Sequence, residues 1–111
     1  MPQPTASSLP FQARPTQEYR AGAEVFKALG HPSRLLIIDA LGHGEHCVAD
    51  LTAIIGSDMS TVSNHLSVLK NVGLIEDERR GQQVFYRLTT ECVLKAFACM
   101  EEMRAARNAR R

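Results

Sequence analysis

Short polar side chains are concentrated between Met59 and Val72, a stretch that contains no carboxylate. Hydroxyl, amide and imidazole groups of this size allow a helix to approach DNA closely and to hydrogen-bond with base edges or phosphates. A solvated surface helix would instead favour Glu and Lys pairs. We therefore predict a DNA-facing surface here. Its members are Ser60, Thr61, Ser63, Asn64, His65, Ser67 and Lys70.

Three cysteines, Cys47, Cys92 and Cys99, form the second group with chemical potential. Three thiolates suit a soft ion, for which As(III) and Sb(III) are natural candidates. A regular helix would separate Cys92 from Cys99 by about 10.5 Å. One ion therefore reaches both only if the helix start unwinds or a partner chain supplies a thiol. The alternatives are that the thiols sense oxidants or sulfide, or that Cys92 and Cys99 only pack as small hydrophobes.

A zinc site is a weaker alternative. His43, His46, Cys47 and Asp50 have suitable types and spacing, although exposed histidines in a glycine-rich loop are common without a metal. His31 is expected at the start of a helix. We expect no enzymatic activity, because the sequence contains no glycine-rich phosphate loop and no nucleophile with a base at a suggestive spacing. No obligatory cofactor is expected.

The pattern along the chain predicts a mainly α domain with a β-hairpin, an α+β fold. A proline-rich arm at 1–16 precedes a folded domain at 17–107 and a basic tail at 108–111. Ser57 or Asp58 is expected to cap the helix that begins at Met59. The predicted helices run from Gln17 to Gly30, Pro32 to Gly42, Val48 to Ile55, Met59 to Val72, and Thr89 or Thr90 to about Arg107, with strands at Leu74–Arg79 and Val84–Leu88.

The apolar positions of these helices predict the core. The expected stripes are Tyr19, Ala23, Phe26, Ala28 and Leu29 in the first helix, Leu35, Leu36, Ile38, Ala40 and Leu41 in the second, and Met59, Val62, Leu66, Leu69 and Val72 in the fourth.

The tip of the predicted hairpin carries further candidate DNA contacts. These are Arg79, Arg80, Gln82 and Gln83, which could reach the flanking backbone or minor groove. The acids that precede them, Glu76 to Glu78, should face away from phosphates.

Length and composition exclude several classes of protein. With 111 residues, 44% of them hydrophobic and 23% charged, the chain fits one ordinary globular domain. Leu35–Ile38 is far too short to span a membrane, and Met1–Pro15 lacks the apolar core of a signal peptide. An odd number of cysteines disfavours a disulfide-stapled scaffold. We therefore expect a cytoplasmic protein without a membrane partner. The net charge is only +1, so any basic surface must be local.

Three runs of sequence resemble the ArsR/SmtB family. They are Ala28–Leu35 (ALGHPSRL), Ser60–Leu66 (STVSNHL) and Gly81–Leu88 (GQQVFYRL), and the resemblance covers about residues 17–103. It implies a dimeric winged helix-turn-helix repressor that leaves its operator DNA when a metal, a metalloid or a thiol-reactive inducer binds.

The family's inducer sites are incomplete in this chain. Glu45–Leu51 resembles the metalloid box of the family, in which Cys47 matches the first cysteine and Ala49 replaces the second. On the last helix, Thr90, Cys92, Met103 and Ala106 stand where carboxylate and imidazole ligands would be expected.

The last helix also predicts a homodimer. Cys92, Ala96, Cys99 and Met103 follow one another at spacings of four, three and four, flanked by other apolar residues. This apolar band is wider than the helix needs to pack against its own domain, so a monomer would leave part of it exposed to water. The resemblance likewise implies that the first and last helices pair across a two-fold axis.

The sequence thus supports three hypotheses. The first is a repressor released by As(III) or Sb(III) bound through the cysteines. The second is the same repressor with redox or sulfide sensing. The third is a winged-helix protein-interaction module that docks a partner on Ser60–Asn71.

Overall fold

The computed structural model describes residues 3, 5 and 8–110, which form five α-helices and a three-stranded antiparallel sheet. Short 3-10 helices at Thr16–Tyr19 and Glu91–Val93 precede the first and last α-helices. The order confirms the predicted winged helix-turn-helix. The helices are α1 (Arg20–Leu29), α2 (Pro32–Gly42), α3 (Val48–Ile55), α4 (Met59–Asn71) and α5 (Leu94–Ala109), and the strands are β1 (His46–Cys47), β2 (Ile75–Arg80) and β3 (Gln83–Leu88).

The core lies where α2, α3 and α4 meet the base of the sheet. Val62, Leu66 and Leu69 of α4 are at most 1% exposed, which confirms their predicted apolar stripe. The members of the stripe at the ends of the helix differ, since Met59 is 56% exposed and Val72 is half-buried. The other fully buried side chains are Ile37, Ile38, Leu51 and Ile75.

Local signals set the helix-turn-helix. The α3 helix ends at Gly56, whose φ of 78° places it in the left-handed region that favours glycine. Ser57 and Asp58 complete the turn, and the Asp58 carboxylate accepts a hydrogen bond from the Thr61 N–H at 2.7 Å. Of the two predicted caps, Asp58 is therefore the one used, which orients α4 relative to α3.

The hairpin is tighter than predicted. Arg80 pairs with Gln83, so both belong to the strands and the loop contains only Gly81 and Gln82. Gly81 has a φ of 65°, and glycine at the first position of a two-residue loop matches the twist of the flanking strands. Leu74 is buried but lies just before β2, so the prediction that the strand begins at Leu74 is wrong.

Strand β1 is not among the strands that the sequence pattern predicts. His46 pairs with Tyr86 and Cys47 with Phe85, so β3 is the middle strand of the sheet in the order β1-β3-β2. This pairing places the segment before α3 against the wing, which is the β2–β3 hairpin.

The first helix differs in part from its predicted bounds and apolar stripe. The α1 helix begins at Arg20, after the 3-10 helix, and packs through Ala28 with Val25 and Leu29, whereas Phe26 is 73% exposed. The predicted stripe is therefore confirmed at Ala28 and Leu29 and wrong at Tyr19, Ala23 and Phe26, which are exposed.

The stripe predicted for α2 is confirmed at Ile38 and Leu41, which are 0% and 4% exposed, and it differs at two neighbouring positions. Ile37 is fully buried, whereas Leu36 is 39% exposed.

The last helix follows a 3-10 turn. Thr90 caps that turn by accepting from the Cys92 N–H, and the α-helix itself starts at Leu94. A side chain at Gly42 would meet Leu94, because an added Cβ would lie 2.7 Å from its Cδ2 atom. This close approach holds the start of α5 against the end of α2. None of the helices in residues 8–110 has the length and hydropathy needed to cross a membrane.

Candidate nucleic-acid interface and thiols

The outer face of α4 is polar and open. Val62, Leu66 and Leu69 form the hydrophobic face of α4 and are buried, so the opposite face is exposed to solvent. The α4 helix thus presents short donors and acceptors and one lysine. The predicted DNA-facing residues that are exposed are Ser60, Thr61, Ser63, Asn64, Ser67 and Lys70.

His65 lies at the edge of this face and is half-buried. Its ring packs against that of His31, with 4.4 Å between the ring centroids and a tilt of 47°. Desolvation lowers the pKa of His65, and the nearby His31 and Arg34 lower it further. His31 is at the start of α2, as predicted, where its Nδ1 accepts a hydrogen bond from the Ser33 N–H at 3.0 Å.

Two predicted DNA contacts are ion-paired. Lys70 Nζ lies 3.0 Å from an Asp77 carboxylate oxygen, which ties α4 to the wing. Arg80 contacts Glu45 at 2.7 Å and Glu78 at 3.1 Å. Its guanidinium also lies over the Phe85 ring, 4.7 Å from the centroid. The hydrogen bonds that Arg80 donates to Glu45 and Glu78 raise its pKa.

The wing has two chemically different faces. Alternate residues of a strand point to opposite sides of the sheet, so Glu76, Glu78 and Arg80 share one face. Arg87, opposite Glu76 on β3, pairs there with Glu76 at 2.7 Å and Glu78 at 2.9 Å. Arg79 projects from the other face.

The face that carries Arg79 is the one that turns toward the domain, since it also holds buried Ile75 and the Asp77 that pairs with Lys70. The Arg79 Nε donates to the Gly81 carbonyl at 3.2 Å. Arg79 is thus the wing arginine on the α4 side, and Gln82 and Gln83 are exposed beside it at the tip.

A cleft of about 290 Å³ separates the wing from the starts of α3 and α4. Cys47 lines it and is only 7% exposed. Met59 and Ser63 line the same cleft from α4, and Gln82 to Val84 from the wing. The Cys47 thiol therefore lies next to the candidate DNA interface.

Cys92 and Cys99 lie elsewhere and are exposed. The 3-10 turn that holds Cys92 rises by about 2.0 Å per residue, so it does not bring Cys92 closer to Cys99. Within the described residues no group of three His, Cys, Asp or Glu side chains could hold a metal ion. The three cysteines are therefore not assembled within one protomer.

The alternative zinc ligands are not assembled either. His46 Nδ1 lies 3.6 Å from an Asp50 carboxylate oxygen, whereas His43 hydrogen-bonds to the Asp39 carbonyl.

An apolar groove runs between α1 and α5, with a volume of about 590 Å³. In residues 8–110 no side chain of α5 is buried, and Phe26 and Met103 of the groove are 73% and 59% exposed. Cys99 also lines it. The other apolar lining residues are Leu29, Leu35, Val93, Ala96, Phe97 and Met100.

Sequence reasoning missed Glu45 as a functional neighbour of the wing. Its carboxylate reaches both Arg80 and Arg87 because it directly precedes β1, the strand that was not predicted. A polar residue before the two-residue strand gave no signal of its own.

Comparison with known proteins gives consistent matches. Residues 31–77 match the family described as bacterial regulatory protein, arsR family. The biofilm growth-associated repressor of Xylella fastidiosa is 39% identical over 85 residues, covering 75% of each chain. A cadmium resistance transcriptional regulatory protein CadC homolog from Staphylococcus aureus is 41% identical over 86 residues, which cover 73% of this chain and 71% of that protein.

Solved structures agree with these matches. The homodimeric winged helix-turn-helix DNA-binding domain Mb0332 from Mycobacterium bovis, described as a possible ArsR-family regulator, matches with a TM-score of 0.75 and 31% identity. The match covers 93% of this chain and 96% of that one.

Proposed function

The chain belongs to the ArsR family of bacterial transcriptional repressors, and from this premise we propose that it binds operator DNA as a homodimer and releases it when a thiophilic inducer reacts with its cysteines. The segment that matches the family, residues 31–77, contains α2, α3, α4 and the first three residues of β2. The dimer, the contact residues and the inducer are the parts that we infer for this chain.

The open face of α4 carries the DNA-binding proposal. It combines exposed hydroxyl and amide groups with an absence of carboxylates along the helix. Ser60, Thr61, Ser63, Asn64 and Ser67 would meet base edges or phosphates in the major groove. Arg79, Gln82 and Gln83 of the wing would contact the flanking backbone, and Lys70 and Arg80 would join them by exchanging a carboxylate for a phosphate.

The apolar groove supports a homodimer. One winged helix reads only a few base pairs, and a two-fold dimer provides a second half-site. Because Phe26 of α1 and Met103 of α5 leave a continuous apolar surface exposed, a second copy would bury it. The matched Mycobacterium bovis domain is homodimeric.

The cysteines support a soft inducer such as As(III) or Sb(III). A relative named for cadmium resistance fits the same class of thiophilic ion. Because the thiols are apart within a protomer, Cys92 and Cys99 would combine across the dimer, near the α5 seam. Cys47 would act at the operator face, where an adduct in the cleft beside Ser63 competes with DNA.

Redox or sulfide sensing by the same thiols is the second candidate. It is favoured by one observation: Cys92 and Cys99 are exposed, while the described residues of one protomer offer no three-donor site. Modification of single thiols, or a disulfide between protomers, needs no chelating group.

Fluorescence anisotropy of the reduced protein on DNA from its own upstream region tests the proposal. We expect arsenite to release the DNA at about one equivalent per protomer or per dimer. Tight binding that ignores arsenite but is lost with a thiol oxidant such as diamide would favour the redox candidate. Tight binding that ignores both would refute thiol-based induction.

A cysteine variant locates the inducer site. We expect Cys47→Ser to bind the operator as the wild type does and to resist release, because it keeps the size of the side chain but loses the thiolate. Cys92→Ser and Cys99→Ser, measured in parallel, show how far the thiols of the 3-10 turn and of α5 contribute to release. A folded Cys47→Ser protein that no longer binds DNA would contradict the assigned role of this thiol.

A further inference from the structure

Three basic groups meet where the start of α2 touches α4. His31 precedes α2, Arg34 lies in its first turn, and His65 comes from the middle of α4. The two imidazole rings are in contact, and the charges of both His31 and Arg34 act on His65. The contact joins two elements that are far apart in the sequence.

Arg34 lacks a counter-charge in this cluster. Its side chain is half-buried, and its Nε is a buried polar atom without a hydrogen-bond partner. In residues 8–110 the guanidinium of Arg34 forms neither an ion pair nor a hydrogen bond. By contrast, Arg80 and Arg87 of the wing are each paired with glutamates. A partly desolvated cation without a partner is costly, which points to an anion that completes the site.

The two histidines also have free hydrogen-bonding capacity. His31 uses Nδ1 to accept from the Ser33 N–H, which leaves Nε2 as its available donor when the ring is neutral. His65 forms no ion pair with a carboxylate of α1, α2, α3 or the wing within the described part of the chain. The two charged groups that shift its pKa, His31 and Arg34, are both basic.

The cluster borders the candidate DNA surface. Thr61 is exposed and lies one helical turn before His65, so both project from neighbouring positions of α4. The start of α2 adds the positive end of the helix dipole, which favours an anion.

We propose that His31, Arg34 and His65 form a receptor for one backbone phosphate of the operator, which extends the DNA interface from α4 to the start of α2. The inference rests on the proposed operator binding. Arg34 supplies the permanent charge, and the two imidazoles supply donors on either side. A phosphate at this position would fix the depth of α4 in the major groove.

Phosphate binding at this site couples DNA affinity to pH. In the free protein, desolvation and the neighbouring positive charges lower the pKa of His65. A bound phosphate stabilises the protonated ring and raises that pKa again. Binding therefore takes up a proton, and affinity increases as the pH falls through the raised pKa of the complex.

The salt dependence of operator binding tests the receptor. Loss of one phosphate contact reduces the slope of log K against log salt concentration by about 0.9. We expect Arg34→Gln to show this reduction with a roughly tenfold loss of affinity at low salt, and Arg104→Gln on α5 to retain the wild-type slope. Operator binding by the wild type establishes the proposed function independently. An unchanged slope in a folded, dimeric Arg34→Gln protein would overturn the receptor.

A second measurement uses the wild-type chain, in case Arg34→Gln does not fold. The His65 imidazole proton signals are titrated by NMR with and without operator DNA, with His65→Gln to assign them. We expect a higher pKa in the complex and a loss of the acid-dependent gain in affinity in His65→Gln. A pKa that is unchanged or lower on DNA would overturn the proposal.

Discussion

Side chains on the candidate DNA surface differ in whether other protein groups already hold them. Ser63 and Asn64 are exposed, and within residues 8–110 their side chains form no hydrogen bonds. Lys70 and Arg80 are held by Asp77, Glu45 and Glu78. Exposed ion pairs contribute little to stability, so a phosphate can replace these carboxylates. Ser63 and Asn64 would hydrogen-bond to DNA without first breaking a contact within the protein. Lys70 and Arg80 would add positive charge to the interface once a phosphate replaces their carboxylate partners.

Ser63→Glu tests the recognition surface at a single residue. Ser63 lies on the open face of α4 and lines the cleft toward the wing. A carboxylate there would repel nearby phosphates, so we expect roughly a tenfold loss of operator affinity at low salt. Ser63→Gln is the matched control for side-chain size. Equal affinities of the Glu and Gln variants in an anisotropy titration would count against DNA contact at this position.

Glu78→Gln tests whether the glutamates restrain the wing. Glu78 contacts both Arg80 and Arg87, and these hydrogen bonds lower its pKa. Removing the charge leaves Arg80 paired with Glu45 alone and makes the wing more basic, so we expect a several-fold gain in affinity at low salt that fades at high salt. Glu101→Gln removes a similarly paired carboxylate from α5 and should have no effect. A gain of equal size in both variants would mean that only net charge matters.

At the scale of elements, the start of α4 depends on Asp58. Its carboxylate accepts from the Thr61 N–H, and this bond lowers the pKa of Asp58. We expect Asp58→Ala to lower the melting temperature and to fray the first turn of α4, which would weaken operator binding. Ser57→Ala, at the neighbouring exposed position, should melt as the wild type does. Identical melting of the two variants would show that the cap is dispensable.

The same cap has a defined pH dependence. Because the pKa of Asp58 is lower in the folded chain, its contribution to stability is complete above the ordinary aspartate value of about 3.9 and is lost as the pH falls through the folded value. The difference in melting temperature between the wild type and Asp58→Ala should therefore shrink in this acid range.

The elements that sequence patterns predict are those whose signals are local. Val62, Leu66 and Leu69 recur at helical spacing, and Gly56 with Asp58 marks the turn before them, so α4 and its polar face follow from the sequence. Strand β1 was missed because two residues show no periodicity. Its partner on β3 lies about forty residues away in the chain, as His46 pairs with Tyr86.

In the candidate site, too, features with a local signal can be predicted from the sequence, whereas contacts between distant elements cannot. The exposed residues of α4 could be predicted from composition and spacing alone. The contacts of His65 with His31 and of Arg80 with Glu45 could not, because each joins two elements whose packing is tertiary. The phosphate receptor proposed for α2 and α4 depends on such a contact.

At the scale of the whole molecule, the exposed groove between α1 and α5 predicts the assembly. Phe26→Glu would place a charge in this apolar surface, so we expect a monomer in sedimentation experiments and a loss of cooperative binding to two half-sites. Ile54→Glu, at a 45%-exposed position on α3 outside the groove, should remain dimeric. A Phe26→Glu protein that sediments as a dimer would place the interface elsewhere.

Binding of the reduced protein to its own upstream DNA is the most direct test of the central claim that this chain is an operator-binding repressor. Anisotropy would compare that DNA with a scrambled duplex of the same composition over a range of salt concentrations. We expect markedly tighter binding to the upstream DNA, which weakens as the salt concentration rises because phosphate contacts release counterions. Equal affinity for the two duplexes, or binding that does not respond to salt, would contradict it.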